Sequence, residues 1–234
     1  MARKIANIDG IGNVLLVKRR GTKNLRLSIQ PDGQVRVGLP AWAPYSAGIR
    51  FAASRSKWIT DNLQLHKPPV LRHGQRIGKF HNLTFRSKPD AKRTYATLRT
   101  NTITVVSPFQ PTDLIVQKAA RKACEKALKK EADLLLDRRV QEISSRQGLR
   151  YKNMRVKRLK SRWGSCSQDG LITLNYYLIQ LPWELIDYVI VHELAHTQHL
   201  DHSRDFWDLV ESIIPGAKGH RKTIRNYRPV LLPS

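Results

Sequence analysis

The stretch Val191-His192-Glu193-Leu194-Ala195-His196 decides how the second half of the chain is interpreted. His192 and His196 are four residues apart, so on a helix they lie about 40° from each other around the axis, and both imidazoles can approach one ion. Glu193 lies beside them in an apolar segment, where such polar groups are costly unless a metal or hydrogen bonds satisfy them. The H-E-x-x-H pattern therefore predicts a helix that carries a zinc site, with Glu193 as a base rather than a ligand.

A catalytic zinc site needs a third protein ligand, and the nearby candidates are His199, His202 and, more remotely, His220. His199 would share a helical face with His192, but about 10.5 Å further along the axis. Two imidazoles would have to close that gap with metal bonds of about 2.1 Å. His202 can reach the ion only if the chain turns near residues 200–201, where an Asp tolerates a left-handed conformation. We therefore favour His202 over His199.

The sequence around this motif indicates further helices and short strands. Residues 112–147 run without Pro or Gly and predict a long amphipathic helix that Gly148 closes. Residues 154–159 and 171–174 predict a strand pair around the turn 167–170. Pro182 marks the start of a helix that continues to about Leu200.

The first half of the sequence has a β-rich pattern. Residues 46–65 predict one helix there, and Pro108 and Pro111 mark a break before the long helix. Short apolar or alternating segments predict the strands, which are residues 14–17, 25–29, 35–37, 83–85, 94–98 and 102–106, with a hairpin turn at Pro31-Asp32-Gly33. The expected fold is α+β, with a β-rich N-terminal region over residues 1–112 and a second domain over residues 113–234.

The large positive net charge is the most unusual feature of the composition. The 234 residues contain 42 Lys and Arg against 18 Asp and Glu, a net charge of +24. Residues 1–112 hold 20 basic and 4 acidic residues, a net +16, while residues 113–234 hold 22 and 14, a net +8. Such a field attracts polyanions, so nonspecific nucleic acid is a candidate partner of the basic half. The alternative is a soluble basic surface without a specific partner.

Cysteine content and hydropathy narrow the class of protein. Cys124 and Cys166 are the two cysteines, too few for a disulfide scaffold or a cysteine-rich zinc site. No apolar run approaches the roughly eighteen residues of a membrane helix, and no apolar segment follows the N-terminal Met-Ala-Arg-Lys. We therefore expect a cytoplasmic protein without a membrane partner. Oligomeric state is not indicated by the sequence.

Several motifs together resemble the YgjP-like metallopeptidase family, and more distantly SprT-like proteases. They lie between about residues 155 and 210, and they are Lys160-Ser161-Arg162-Trp163-Gly164-Ser165-Cys166-Ser167, Leu174-Asn175, His192 to His196, Asp201-His202-Ser203 and Phe206-Trp207. The resemblance implies a zincin-like domain that hydrolyses peptide bonds, with Zn²⁺ on His192, His196 and His202 and with Glu193 as general base. Asp201 and Thr197 depart from the family pattern, which has Asn and an apolar residue there. Neither change removes a ligand, and the Asp201 carboxylate is a candidate for orienting an imidazole.

Other motif residues admit two interpretations. Arg162, Trp163, Ser165 and Asn175 could hold an extended peptide at a sheet edge, or Trp163 could be a core anchor and Ser165 a turn residue. Cys166 is a less favoured candidate for a thiol nucleophile paired with a histidine.

The remaining histidines lack ligand spacing. We expect His66, His73 and His81 to be surface or hydrogen-bonded residues, and His220 to belong to a basic tail or an anion-binding patch. The predicted function is a zinc metallopeptidase acting on protein or peptide. The alternative is a nucleic-acid-associated basic protein whose metal site is structural or idle.

Overall fold

The computed structural model of the chain describes residues 2–29, 33–66, 69–159, 162–227 and 229–231. Within these ranges the chain forms six α-helices, one 3-10 helix and eleven strands, and the strands make three small sheets. The fold class is therefore α+β, as the sequence predicts. The chain divides into two compact units, residues 1–69 and residues 70–233.

The first unit combines a four-stranded sheet with two helices. Its elements are β1 (Arg3–Ile8), β2 (Gly12–Arg19), β3 (Arg26–Ile29), β4 (Val35–Pro40), α1 (Tyr45–Ala53) and α2 (Ser56–His66). The sheet has the order β1-β2-β4-β3, in which β2 and β4 are parallel and the other pairs are antiparallel. Val14, Leu16, Val37 and Leu39 form its buried core with Ile59 of α2.

Of two predictions for this unit, one is confirmed and the other is wrong. The hairpin of β3 and β4 is confirmed, although Pro31 and Asp32 of its expected turn lie outside the described residues. The single helix expected over residues 46–65 is wrong, because α1 ends at Ala53 and α2 begins at Ser56. The Ser54 hydroxyl donates to the Phe51 carbonyl at 2.9 Å, a local bond that competes with continuation of the helix.

The second unit contains two sheets and four α-helices among its described residues. Its elements are β5 (Arg76–Ile77), β6 (His81–Ser87), β7 (Tyr95–Leu98), β8 (Thr102–Ser107), α3 (Leu114–Gln147), β9 (Asn153–Lys157), β10 (Gly164–Cys166), β11 (Leu171–Asn175), a 3-10 helix (Tyr176–Gln180), α4 (Trp183–Ala195), α5 (Arg204–Ile213) and α6 (Ala217–Asn226). The sheet orders are β5-β6-β8-β7 and β10-β11-β9. The long helix is confirmed, and Gly148 ends it in the left-handed conformation with φ 66°.

The division between the units differs from the boundary expected between residues 112 and 113. Ile103 and Val105 of β8 share one hydrophobic core with Val116 and Ala120 of α3. The Gln117 side chain also receives a hydrogen bond from the Leu71 amide and donates one to the Leu71 carbonyl, at 2.8 and 2.9 Å. Residues 70–112 therefore belong with the long helix, because their sheet buries its apolar face against that helix.

A buried carboxylate fixes the start of the β5-to-β8 sheet to the middle of α3. Glu131 is 2% exposed and accepts hydrogen bonds from the amides of Lys79, Phe80 and His81. It also pairs with Nδ1 of His81, which is therefore a hydrogen-bonded residue as expected. Gly78 has φ 68°, and a Cβ there would collide with the same carboxylate. The turn wraps tightly around Glu131.

The strands of the third sheet pair differently from the prediction. Residues 153–157 do pair with residues 171–175, but in parallel. The turn at residues 167–170 instead joins β11 to β10, a strand that the sequence analysis did not predict. β11 is central, so β10 is an edge strand. Among the described residues, no helix is long and apolar enough to cross a membrane.

Candidate metal centre

The histidine motif lies at the end of a buried helix. In α4, apolar residues surround the axis, and Ile186, Ile190, Leu194 and Ala195 are fully buried. The helix ends at Ala195, earlier than the expected Leu200. The hydroxyl of Thr197 donates to the Leu194 carbonyl at 2.7 Å, and tight turn bonds run from residues 197–199 back to residues 194–195. This early reversal lets the following segment return toward the helix.

Three imidazoles meet at this reversal. His192, His196 and His202 each offer a ring nitrogen, and these nitrogens lie within 4.8 Å of one another. The ring centroids are separated by 5.0 Å for His192 and His196, 5.0 Å for His192 and His202, and 4.7 Å for His196 and His202. These are the three residues that the sequence analysis selected as a ligand set.

The ring nitrogens fit a shared cation. Nε2 of His192 and Nε2 of His202 are only 3.1 Å apart, and Nδ1 of His192 is buried without a hydrogen-bond partner among the described residues. Burial, together with the nearby His196 and His202 rings, lowers the pKa of His192 to about 3. Burial also lowers the pKa of His202. Neutral imidazoles with crowded lone pairs are the donors that a transition metal binds.

The tautomer of one ring follows from its hydrogen bond. Nδ1 of His196 lies 3.0 Å from the backbone carbonyl of His199. Since a carbonyl only accepts, Nδ1 carries the proton and Nε2 keeps the lone pair that a metal requires. His199 thus acts through its backbone. Asp201, considered as a partner of an imidazole, accepts instead from the Ser203 amide at 3.1 Å and shapes the turn before α5.

Aromatic side chains of α5 pack against the three rings. The centroid of Phe206 lies 4.9, 4.6 and 4.8 Å from those of His192, His196 and His202, and Phe206 is fully buried. Trp207 stacks on His202 at 5.7 Å. These contacts hold the imidazole planes in place and exclude water from one side of the cluster.

Helix α6 adds residues that the sequence analysis did not connect with this site. The Arg221 guanidinium lies 4.8 Å from the centre of the Trp207 ring. His220, expected in a basic tail or an anion-binding patch, stacks on Tyr188 at 6.1 Å, and Tyr188 is 6.0 Å from His192. Neither Arg221 nor His220 is separated from His192 by the spacing of a known motif. Only the folded structure therefore shows that both lie close to the site.

Glu193 lies beside the cluster in an apolar environment. Its side chain is buried, and burial raises its pKa to about 7, although the positive charge of Arg162 opposes that shift. Strand β10 passes directly over the carboxylate. A Cβ placed on Gly164 would lie 2.6 Å from Oε1 of Glu193 and 2.7 Å from its Cγ. The close approach of strand and carboxylate therefore requires glycine at position 164.

Asn175 holds the chain segment that leads into β10. Its Nδ2 donates to the carbonyls of Leu159 and Arg162 at 2.9 and 3.0 Å, and the Asn175 side chain is buried. Trp163 packs against the core, as one of its two interpretations proposed. Ser165 lies within β10 opposite Thr173, so it is not a turn residue. Asn175 thus positions the strand over Glu193.

The environment of Cys166 disfavours a thiol nucleophile. Burial, with added repulsion from Glu193 and Asp169, raises the pKa of the thiol to about 11. Its Sγ donates to the Ser167 carbonyl at 3.4 Å. A reactive cysteine needs a lowered pKa.

Two other histidines lie apart from the cluster or cannot be placed. His73 accepts a hydrogen bond from the Phe85 amide at 3.2 Å, and the His66 side chain is outside the described part of the chain.

Comparison with known proteins identifies the family. The family model for the YgjP-like metallopeptidase domain matches residues 23–227. Among solved structures, the metallopeptidase zymogen of Pyrococcus abyssi abylysin is 28% identical, covers 42% of this chain and 100% of its own, and has a TM-score of 0.36. The zymogen of Methanocaldococcus jannaschii jannalysin is 24% identical, covers 37% of this chain and 89% of its own, and has a TM-score of 0.34. No curated protein matches. Since the family model matches most of this chain, the chain belongs to the YgjP-like metallopeptidase family.

Proposed function

We propose that this metallopeptidase is zinc-dependent, with His192, His196 and His202 as ligands and Glu193 as general base. The observation that carries the proposal is the meeting of three imidazole nitrogens within 4.8 Å beside a buried carboxylate. Three protein ligands with an open fourth position are typical of catalytic zinc, and the imidazole set suits zinc well. The H-E-x-x-H helix of a zincin-like domain is then α4.

Zinc, when bound, polarises the substrate carbonyl and makes a water more acidic. Glu193 accepts the proton of the attacking water and delivers it to the leaving amine. Without a metal ion, burial raises the pKa of the Glu193 carboxyl to about 7, so its apolar surroundings favour uptake of a proton. Arg162 lies close enough to influence this carboxylate and favours its ionised form.

The substrate class follows from the edge of the third sheet. β10 has a partner on one side only among the described residues, and it runs across Glu193 at Gly164. An extended peptide can add to such an edge by backbone hydrogen bonds, which fix its direction without demanding one sequence. We therefore infer that unfolded or extended protein segments are the substrates.

The decisive experiment compares the wild type with Glu193→Gln. The amide keeps the shape of the side chain but cannot take up a proton, so hydrolysis of an unfolded protein should fall about a hundredfold or more. The zinc content should stay at the wild-type level, because Glu193 is not a ligand. Glu142→Gln on the exposed face of α3 is the matched control and should retain activity.

Two outcomes would change the assignment. Full activity of Glu193→Gln would exclude Glu193 as the base, and loss of zinc would make it a ligand. The alternative function, a nucleic-acid-associated protein with a structural or idle metal site, predicts no proteolysis by the metal-loaded wild type and no effect of a chelator. A structural site would also have its fourth position closed by protein.

A further inference from the structure

A basic cavity lies in the first unit, within residues 19–38. Its volume is about 670 Å³, and the segment between β2 and β3 forms much of its wall together with β3 and β4. Five cationic side chains line it, namely Arg19, Arg20, Lys23, Arg26 and Arg36. The metal ligands all belong to the second unit, so the peptidase site does not account for this feature.

The cations of this cavity repel one another. Within the described residues, no carboxylate lines the cavity and none of its five cations forms an ion pair. Burial and the charges of Arg19 and Arg3 lower the pKa of Arg36. An anion in the cavity would relieve this repulsion.

The donors of the cavity suit phosphate in particular. Four of its five cations are arginines, whose planar forks bind phosphate oxygens in pairs. Thr22 and Asn24 add neutral polar groups, and Gly21, at φ 76°, bends the chain just before them. The volume falls in the range of about 300–1,000 Å³ that holds ligands larger than one phosphate. A chain of phosphates fits this combination of size and donors.

An exposed tryptophan lies near the same end of the sheet. Trp42 is 79% exposed and follows Pro40 by two residues, and Pro40 is the register partner of Arg19. The flat ring is a stacking surface for a nucleobase, which only a single strand can offer freely.

We propose that the basic cavity binds the phosphodiester backbone of single-stranded nucleic acid, with a base stacked on Trp42. The site is independent of base sequence, because its cations contact phosphates and its aromatic ring accepts any base. This inference goes beyond the proposed peptidase function and does not depend on it.

The test measures fluorescence anisotropy of a labelled 20-nucleotide single-stranded DNA with the full chain at several salt concentrations. The cavity variant replaces Arg19, Arg20, Arg26 and Arg36 with Gln. The control variant makes the same change of net charge in the second unit, at the exposed Arg86, Lys92, Arg93 and Arg99. The cavity variant should lose at least tenfold in affinity and show a shallower salt dependence, whereas the control variant should lose less than threefold.

Two further variants test the chemistry of the site. Replacing the four cavity arginines by Lys keeps the charge but removes the forks, so an intermediate loss is expected. Trp42→Ala should weaken single-strand binding about tenfold, while Trp183→Ala in the second unit should not. Circular dichroism and urea unfolding confirm that each variant is folded.

Three results would overturn the proposal. They are the absence of binding at low salt, equal losses in the cavity and control variants, and duplex DNA bound as tightly as the single strand with Trp42→Ala unaffected. The first would leave the cavity without this ligand, and the second would make the binding a property of net charge. The third would remove the stacking role on which single-strand preference depends.

Discussion

At the scale of single residues, Gly164 and Glu193 act as a pair. The glycine has no side chain, and the strand that carries it therefore lies directly on a buried carboxylate. This contact removes water from Glu193 and contributes to its raised pKa. The position of this carboxylate thus depends on a residue that itself carries no reactive group.

We expect Gly164→Ala to lower peptidase activity at least tenfold while zinc binding is retained. The added methyl would lie within 2.6–2.9 Å of three Glu193 atoms, so the strand or the carboxylate must move. Overpacking of this kind costs about 1–3 kcal/mol in the free energy of unfolding. Activity, zinc content and urea unfolding measure the three effects. Gly219→Ala is the control, since its Cβ would meet open space, and wild-type activity of Gly164→Ala would contradict the pairing.

The two candidates for the third ligand give a matched comparison. His202→Ala should lower zinc affinity at least a hundredfold, because it removes one of the three imidazole nitrogens of the proposed metal site. His199→Ala should lower it less than tenfold, because His199 supports His196 through a backbone carbonyl that alanine keeps. Competition with a zinc-binding dye measures both affinities. The opposite ranking would mean that His199 holds the metal.

The sequence alone predicts the role of some of these residues and not of others. The rise of a helix disfavours His199, and the structure brings His202 rather than His199 into the cluster. Gly164 is 29 residues from Glu193, and no periodicity connects them. Position 164 must be a glycine because β10 crosses Glu193 of α4 at this point, and only the folded structure shows that crossing. Arg221 was missed for the same reason.

At the scale of elements, the predictions succeeded where local sequence alone determines the structure. α3 contains neither Pro nor Gly and is closed by Gly148, and it was predicted to within two residues. β10 has only three residues and begins with Gly, which is depleted in strands, so its pairing with β11 rather than its own sequence makes it a strand. The boundary at residue 112 failed because β8 and α3 share a core across the proline break.

The attachment of a sheet to α3 through Glu131 leads to an element-scale prediction. Glu131→Ala should lower the free energy of unfolding by about 3 kcal/mol or more, because three backbone amides lose a buried charged acceptor. Glu142→Ala is the matched control on the same helix. Its pairs with Arg139 and Arg146 lie at the surface, so its loss should lower the free energy of unfolding much less than the loss of Glu131. Urea unfolding that gives equal losses would contradict the role of Glu131.

At the scale of the whole molecule, the two units carry different chemistry. The first unit holds the basic cavity, and the second holds the imidazole cluster, the buried Glu193 carboxylate and the edge strand. Charge in the sequence made nucleic acid a candidate partner of the basic half, but it could not show that arginines line one cavity while Lys18 instead lies over the Tyr45 ring at 4.9 Å. Composition reports how many charges a region has, whereas folding decides which of them share a cavity.

Because the proposed ligands belong to one unit, zinc should stabilise the molecule unevenly. A ligand that binds only the folded state adds about 2.7 kcal/mol at a hundredfold excess over its Kd. Hydrogen exchange measured by mass spectrometry should therefore slow in α4 and α5 when zinc is added to the metal-free protein, and β2 and β4 should exchange as before. His202→Ala should abolish the response. Slowing confined to the first unit would place the metal elsewhere, and equal slowing in both units would show that the two unfold together.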